Sequence, residues 1–262
     1  MLALIAGQGA LPAHLIAAAQ TRPFVASLER FPPDTVTPDL TFRIEQLGSF
    51  LQTLKEKGVR EVCFAGSLQR VPLEPGEIDP ATMPLVPRMM EALKSGDDAA
   101  LRTVLSFFEE AGLIIRAAHE IAPDLLPDAG TLGSVAPDNE DEEEAVRAAQ
   151  VVAAMGAVDI GQACVVHRGQ VLASEGVFGT DWMLQSLESR TDAGTGGLFF
   201  KAAKPGQDRR IDLPTIGPGT VAAAAQAGLK GIAIEQGGVM VLDRAGTIKA
   251  ADAAGLFLWV RP

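Results

Sequence analysis

Two short apolar runs that stop on glycine limit what this chain can fold into. Leu2-Ala3-Leu4-Ile5-Ala6 ends in Gly7-Gln8-Gly9, and Glu61-Val62-Cys63-Phe64-Ala65 ends in Gly66-Ser67. Both are largely continuous in apolar residues, the pattern of strands covered on both faces in a parallel sheet. Helix-forming segments lie between them. Ala10-Leu11-Pro12 opens one that runs to about Ala19, with proline near the first helical position, and another from about Ser49 to Lys57 closes on Gly58. Further strands are expected over Pro23 to Leu28, Phe42 to Glu45 and Leu113 to Ile115. Strands alternating with helices specify a Rossmann-like parallel sheet. The turns at Gly7 and Gly66 then share its carboxyl rim, where such sheets take their ligands. Gly7-Gln8-Gly9 also begins a dinucleotide fingerprint, but Pro12 stands where the third glycine belongs, which argues against a nicotinamide site. A tight turn that needs glycine is the plainer reading.

The second half is α/β as well. The proline-rich stretch 71 to 87 reads as an irregular loop. Helices follow over Met89 to Leu93 and Ala99 to Glu110, divided by Ser95-Gly96-Asp97-Asp98, whose acids either cap the second helix or contribute polar groups to a site. His119 has no second histidine at metal-ligand spacing, so a structural role is expected. Composition changes ahead of the acidic run Asp138 to Glu144, in which Asp141 to Glu144 begins a helix through Met155; the boundary is placed to give domains 1–135 and 136–262. Asp159-Ile160-Gly161-Gln162 then leads into a hairpin, Ala163 to Val166 and Val171 to Ser174, with His167 facing solvent at its turn. Gly179-Thr180-Asp181 introduces a helix from Trp182 to Glu188. Strands at 197–202, 231–235, 239–242 and 256–260, with helices at 221–227 and 247–254, complete a mixed α/β domain.

The charge balance excludes some functions. Lys and Arg number 22 against 33 Asp and Glu, a formal charge of −11, so the chain lacks the basic field that nucleic-acid backbones require. With no Tyr, eleven Phe and two Trp it offers little for base stacking. Cys63 and Cys164 each sit in an apolar run and read as buried, reduced thiols, in keeping with a cytoplasmic setting. No basic region precedes the first apolar run, so a signal peptide is not expected, and no apolar run reaches the length of a membrane span. Any membrane association would be peripheral.

Against this acidic background one basic loop stands out. Lys201, Lys204, Arg209 and Arg210 precede Asp212-Leu213-Pro214-Thr215-Ile216-Gly217-Pro218-Gly219-Thr220 and a helix-forming alanine run. Four cations, an acid and a helix N-terminus suit one small anionic ligand, a phosphate above all. A surface turn capped by Thr220 is the alternative. Gly179-Thr180-Asp181 offers the same choice between a plain helix cap and an anion site.

Seven segments, in order and along nearly the whole chain, resemble the LpxI family of UDP-2,3-diacylglucosamine pyrophosphatases. They are Leu4-Ile5-Ala6-Gly7-Gln8-Gly9-Ala10-Leu11-Pro12, Cys63-Phe64-Ala65-Gly66, Gly96-Asp97-Asp98, Ala118-His119-Glu120, Asp159-Ile160-Gly161-Gln162, Gly179-Thr180-Asp181, and Lys204-Pro205 with Asp212-Leu213-Pro214-Thr215-Ile216-Gly217. The resemblance implies two α/β domains with a ligand cleft between them. It also implies Mg²⁺-dependent hydrolysis of UDP-2,3-diacylglucosamine to 2,3-diacylglucosamine 1-phosphate and UMP, a step of lipid A assembly at the cytoplasmic face of the inner membrane. Asp212 is then the catalytic residue, as metal ligand or as the base that orients water, with Asp181 a second metal ligand. Expected substrate contacts in the first domain are Gly7, Gln8, Gly9, Gly66 and Ser67. Those in the second are Gln162, Gly179, Thr180, Asp181, Lys204, Arg210 and Thr215. Ser67 departs from the family pattern, which often has a polar amide after the glycine. A hydrolase of another nucleoside-diphosphate sugar, a UDP-sugar-binding protein without turnover, and pairing of the chain as a homodimer complete the expectations.

Overall fold

The computed structural model describes residues 1–68, 73–92, 97–190 and 195–262, without the side chains of 97–99. It divides into two compact units, Met1–Pro123 and Asp124–Pro262.

The first unit runs β1 (Leu2–Ala6), α1 (Leu11–Ala18), β2 (Phe24–Leu28), β3 (Leu40–Phe42), α2 (Leu47–Glu56), β4 (Glu61–Ala65), α3 (Val86–Ala92), α4 (Asp97–Glu110), β5 (Ile114–Arg116) and α5 (Ala118–Ile121). Among the described residues its sheet has five strands, all parallel, in the order β3-β2-β1-β4-β5. Leu4, Val25, Val62 and Cys63 are fully buried, as their unbroken apolar runs require. The chain leaves β1 for β2 on one side and reaches β4 on the other, so the strand order reverses between β1 and β4. Of the stretch 71 to 87, the described part from residue 73 is less irregular than its prolines imply: single 3₁₀ turns form at Pro75–Glu77 and Met83–Leu85, and α3 begins at Val86. Asp97 and Asp98 open α4, while Leu93, Ser95 and Gly96 lie outside the described residues.

The second unit contains β6 (Gly130–Thr131), α6 (Asn139–Ala157), β7 (Ala163–His167), β8 (Gln170–Ser174), α7 (Gly179–Ser186), β9 (Leu198–Lys201), β10 (Thr215–Ile216), α8 (Pro218–Gln226), β11 (Gly231–Glu235), β12 (Met240–Val241), α9 (Arg244–Ala254) and β13 (Phe257–Arg261). Its main sheet has the order β6-β13-β11-β9-β7-β8. Strands β9, β11 and β13 are parallel; β6 and the β7–β8 hairpin run antiparallel to their neighbours. Alternation along the strands sorts the side chains into two layers. Val165, Phe199, Ile232 and Ile234 pack with residues of α7, α8 and α9, whereas Cys164, Val166, Phe200 and Ala233 pack against Ala145, Ala148 and Val152 of α6. Two-residue strands β10 and β12 form a separate parallel pair. The small β6 already belongs to this unit's sheet, pairing with β13 at residues 130 and 131.

Four helices begin earlier than their apolar periodicity suggests. α6 starts at Asn139 behind Asp138, α7 at Gly179, α8 at Pro218 behind Gly217, and α9 at Arg244 behind Asp243. Thr220 is therefore inside α8 rather than its cap, and its hydroxyl accepts from the Gly217 N–H at 3.3 Å. Asp138 is a true cap: its carboxylate accepts from the Asp141 N–H at 3.1 Å and meets Lys230 Nζ at 2.7 Å. Lys230 and the Asp141 N–H hold its carboxyl down to about 2, below its unfolded value of 3.8. A depressed carboxyl stabilises the fold above the unfolded value, and that contribution is lost as pH falls through the folded one. Asn caps helices as well as Asp does, so the Tm gap between wild type and Asp138→Asn should be open at neutral pH. It should close as pH falls from about 4 to about 2; a gap that is constant across that range in thermal melts contradicts the assignment.

Candidate functional site

Within the first unit, the carboxyl ends of β1 and β4 meet at the reversal of strand order. The Gly7 N–H donates to the Ala65 carbonyl at 2.7 Å, and Gln8 and Ser67 exchange two backbone bonds at 3.0 and 2.9 Å. Gly66 has φ +94, and a Cβ there would lie 2.6 Å from the Gln8 carbonyl oxygen, so only glycine permits this junction. Gly9, Gly66 and Ser67 are exposed at the rim. The Gly9 N–H donates to Asp34 Oδ2 at 2.6 Å, bringing in a carboxylate that no spacing in the sequence announces. The structure thus gathers Gly7, Gln8, Gly9, Gly66 and Ser67 into one patch at the switch point of a parallel sheet.

The second unit collects its polar residues at the rim where β9 and β11 end and β7 begins. Lys201 is the last residue of β9, two positions beyond Phe199, so strand alternation turns its side chain toward α7 and α8. It is 6% exposed. Its Nζ donates to Thr180 Oγ1 at 2.8 Å and to the Thr215 carbonyl at 3.2 Å. Thr180 in turn donates to Glu175 Oε1 at 2.8 Å, and the other oxygen of Glu175 accepts from the Gln162 N–H at 3.0 Å. Burial pulls the Lys201 ammonium below its ordinary pKa, against the opposing fields of Glu175 and Asp181. Gln162, Thr180, Asp181 and Thr215 are therefore drawn around one buried cation. Gly161 makes this possible, because a Cβ there would fall 2.4 Å from the Glu175 carbonyl oxygen. Gln162 Oε1 is buried without a hydrogen-bond partner, an acceptor held ready at the same rim.

The loop between β9 and β10 carries Asp212. Its N–H donates to the Asp208 carbonyl at 3.2 Å, and its Oδ2 accepts from Gln207 Nε2. Just beyond it, the Pro214 carbonyl accepts from the Met240 N–H at 2.8 Å, so the β10–β12 ladder anchors the loop. The cations fare differently from expectation. Arg210 is held by Asp208, with Nε to Oδ1 at 3.0 Å and Nη2 to Oδ2 at 2.7 Å, and Lys204 Nζ donates to Asp159 Oδ1 at 2.7 Å. Arg209 is exposed and donates to the Gly237 carbonyl at 3.4 Å. Arg209 is thus less committed to a carboxylate than Arg210. Lys204, Gln207, Arg209 and Glu235 also line a cavity of about 210 Å³ floored by Val152, Phe200 and Ala202. Gly179 does not precede α7 but opens it, with φ +81.

Other readings are revised or extended. His167 does not face solvent: its side chain is 18% exposed, with Nδ1 3.5 Å from Glu144. His119 Nδ1 is buried and has no hydrogen-bond partner. Cys63 and Cys164 are free and buried, and burial pushes both thiols up to about 12, which leaves them inert as nucleophiles at neutral pH. Glu175 and Gln207 escaped the sequence reading because each is an ordinary polar residue in a turn with no spacing to mark it.

Fold and site together define a two-domain α/β protein: a Rossmann-like sheet with a glycine rim, then a mixed-sheet domain whose carboxylates, hydroxyls and cations share one rim. Comparison with known families narrows this. The LpxI N-terminal domain matches residues 1–125 and the LpxI C-terminal domain residues 128–259, and the chain belongs to the LpxI family. It is 39% identical, over 98% of its own length and 96% of the relative's, to the UDP-2,3-diacylglucosamine pyrophosphatase LpxI of Caulobacter vibrioides.

Proposed function

We propose that this protein hydrolyses the pyrophosphate of UDP-2,3-diacylglucosamine, giving 2,3-diacylglucosamine 1-phosphate and UMP for lipid A assembly. The observation that carries this is the near-full-length match to a relative of that name, across both domains. A pyrophosphate resists hydrolysis because its anionic oxygens repel a nucleophile and the departing phosphate needs charge neutralised. Asp212, fixed by Gln207, orients and deprotonates the water that attacks the phosphorus next to the sugar. Lys204, Arg209 and the N–H groups of the first turn of α8 offset the charge on UMP as it leaves. Thr180 and Thr215, tied through Lys201, place the phosphate-binding segments. Val177, Phe178 and Trp182 are 92%, 71% and 56% exposed on the turn into α7, so apolar surface adjoins the polar cluster, as a diacyl ligand met at a membrane surface requires. Among the described residues no helix is long and apolar enough to cross a membrane.

The oxygen donors suit Mg²⁺. Among the described residues no cluster of three His, Cys, Asp or Glu forms, but Mg²⁺ commonly takes one or two carboxylates and fills its shell with water and substrate phosphate. Asp212 and Asp181 are the residues that would hold it. When bound, it would neutralise phosphate charge. The test is UMP release from UDP-2,3-diacylglucosamine in detergent micelles, with Mg²⁺ and with excess EDTA. Turnover that EDTA abolishes and Mg²⁺ restores is expected. Full activity in EDTA removes the metal from the proposal, and an intact substrate after prolonged incubation removes the hydrolysis.

A further inference from the structure

We infer that Gln207 is the positioning residue of Asp212, an inference that rests on reading Asp212 as the reactive carboxylate. Gln207 sits in the loop after β9 and is only 8% exposed, so its amide has to find its partners inside the protein. It finds two. Oε1 accepts from the Lys204 N–H at 3.0 Å, and Nε2 donates to Asp212 Oδ2. These partners fix which way round the amide lies. Rotated by half a turn, it would set its oxygen against the Asp212 carboxylate and its NH₂ against the Lys204 N–H, two repulsive contacts in place of two bonds.

The backbone supports the bracket at both ends. The Gln207 N–H donates to the Lys204 carbonyl at 3.2 Å, and the Asp212 N–H donates to Asp208 at 3.2 Å, so the five-residue span from 208 to 212 is a closed turn. A carboxylate on a mobile loop would rotate freely about its last bond. Here one oxygen is claimed, and Oδ1 becomes the oxygen that meets water or a cation. Gln207 touches no reacting atom in this scheme; it acts through Asp212. A reactive group needs this kind of support, because displacement by about 1 Å costs on the order of a hundredfold in rate.

Gln207→Glu tests the assignment sharply. The new side chain still accepts from the Lys204 N–H but presents an oxygen, not a donor, to Asp212. Gln207→Met, of similar length, removes both bonds. UMP release should show kcat lowered about a hundredfold in both variants with KM within about threefold of wild type, the signature of a lost transition-state contribution. Thermal melts establish that the variants are folded. A second measurement needs no turnover. The side-chain NH₂ signals of Gln207, identified by their loss in Gln207→Met, should include one proton shifted downfield by the carboxylate, and Asp212→Ala should move it upfield. The assignment is overturned if that signal ignores Asp212→Ala, if both Gln207 variants keep kcat within about threefold, or if the whole loss falls in KM. A wild type that releases no UMP but shows the Asp212-dependent signal refutes the pyrophosphatase reading and leaves the Gln207 contact standing.

Discussion

Asp212→Asn should lower UMP release by about 10²–10⁴-fold, the range that a positioned acid–base group contributes. The substitution is chosen so that folding is not what changes. The Asn carbonyl oxygen still accepts from Gln207 Nε2, and the main-chain bond to Asp208 is untouched. No buried donor is left without a partner, so the stability loss should stay within about 1 kcal/mol, near that of a charge-assisted bond made neutral. The variant keeps volume, loop and ladder, and loses a negative charge and a base. Substrate binding should survive, since it draws on Lys204, Arg209 and the hydroxyls of Thr180 and Thr215. The measurement is kcat by UMP release beside a direct binding isotherm for the substrate. Retention of activity within about tenfold would move the chemistry away from Asp212 and toward Asp181 or Glu175, two further carboxylates of this domain.

The parts of the fold that were legible in the sequence are those written locally. Continuous apolar strands that stop at Gly7 and Gly66 specify a covered parallel sheet and put both turns on one rim, and the structure joins them through Gln8 and Ser67. Helix starts are hidden where capping chemistry looks like loop chemistry: Gly179 and Pro218 signal turns in a sequence, yet each is the first residue of a helix. Strands of two residues, such as Thr215–Ile216, are too short to show a period at all. The pairing of Arg210 with Asp208 had a local signal, an acid two residues away, that the count of cations passed over. The cluster at Lys201 had none. Its facing depends on the register of β9 in the sheet, and Thr180, Thr215 and Glu175 reach it from three separate segments. Long-range polar networks of this kind leave no periodicity, since each member is a single residue placed by a different element.

Lys201→Met should be the most destabilising single change at the site. Methionine matches the length and fits the apolar stem, so packing is largely kept. What disappears is the cation linked through the Thr180 hydroxyl to Glu175, which is 8% exposed and whose two oxygens are already committed to Thr180 and Gln162. Thr180 stands between the two charges, so the loss is that of two hydrogen bonds from a charged donor and of the cation's field at Glu175, about 3–6 kcal/mol. In a chain of this size that lowers Tm by roughly 10 °C. Thr180 keeps its bond to Glu175, but the Thr215 carbonyl loses its donor, so the first turn of α7 and the Asp212 loop are no longer tied to a common point. Glu175→Gln alone leaves the ammonium with the field of Asp181 in place of two carboxylates and should be destabilising as well. The double variant tests the cause: if the penalty is an orphaned charge, Lys201→Met with Glu175→Gln should recover most of the Tm lost by either alone, because two neutral groups replace two opposite ones. Additive losses in the double variant would show instead that Lys201 matters for its hydrogen bonds to Thr180 and Thr215, each acting separately. Turnover then separates the two roles, since a double variant that melts like wild type and still hydrolyses slowly has regained its charge balance without regaining the tie between the segments.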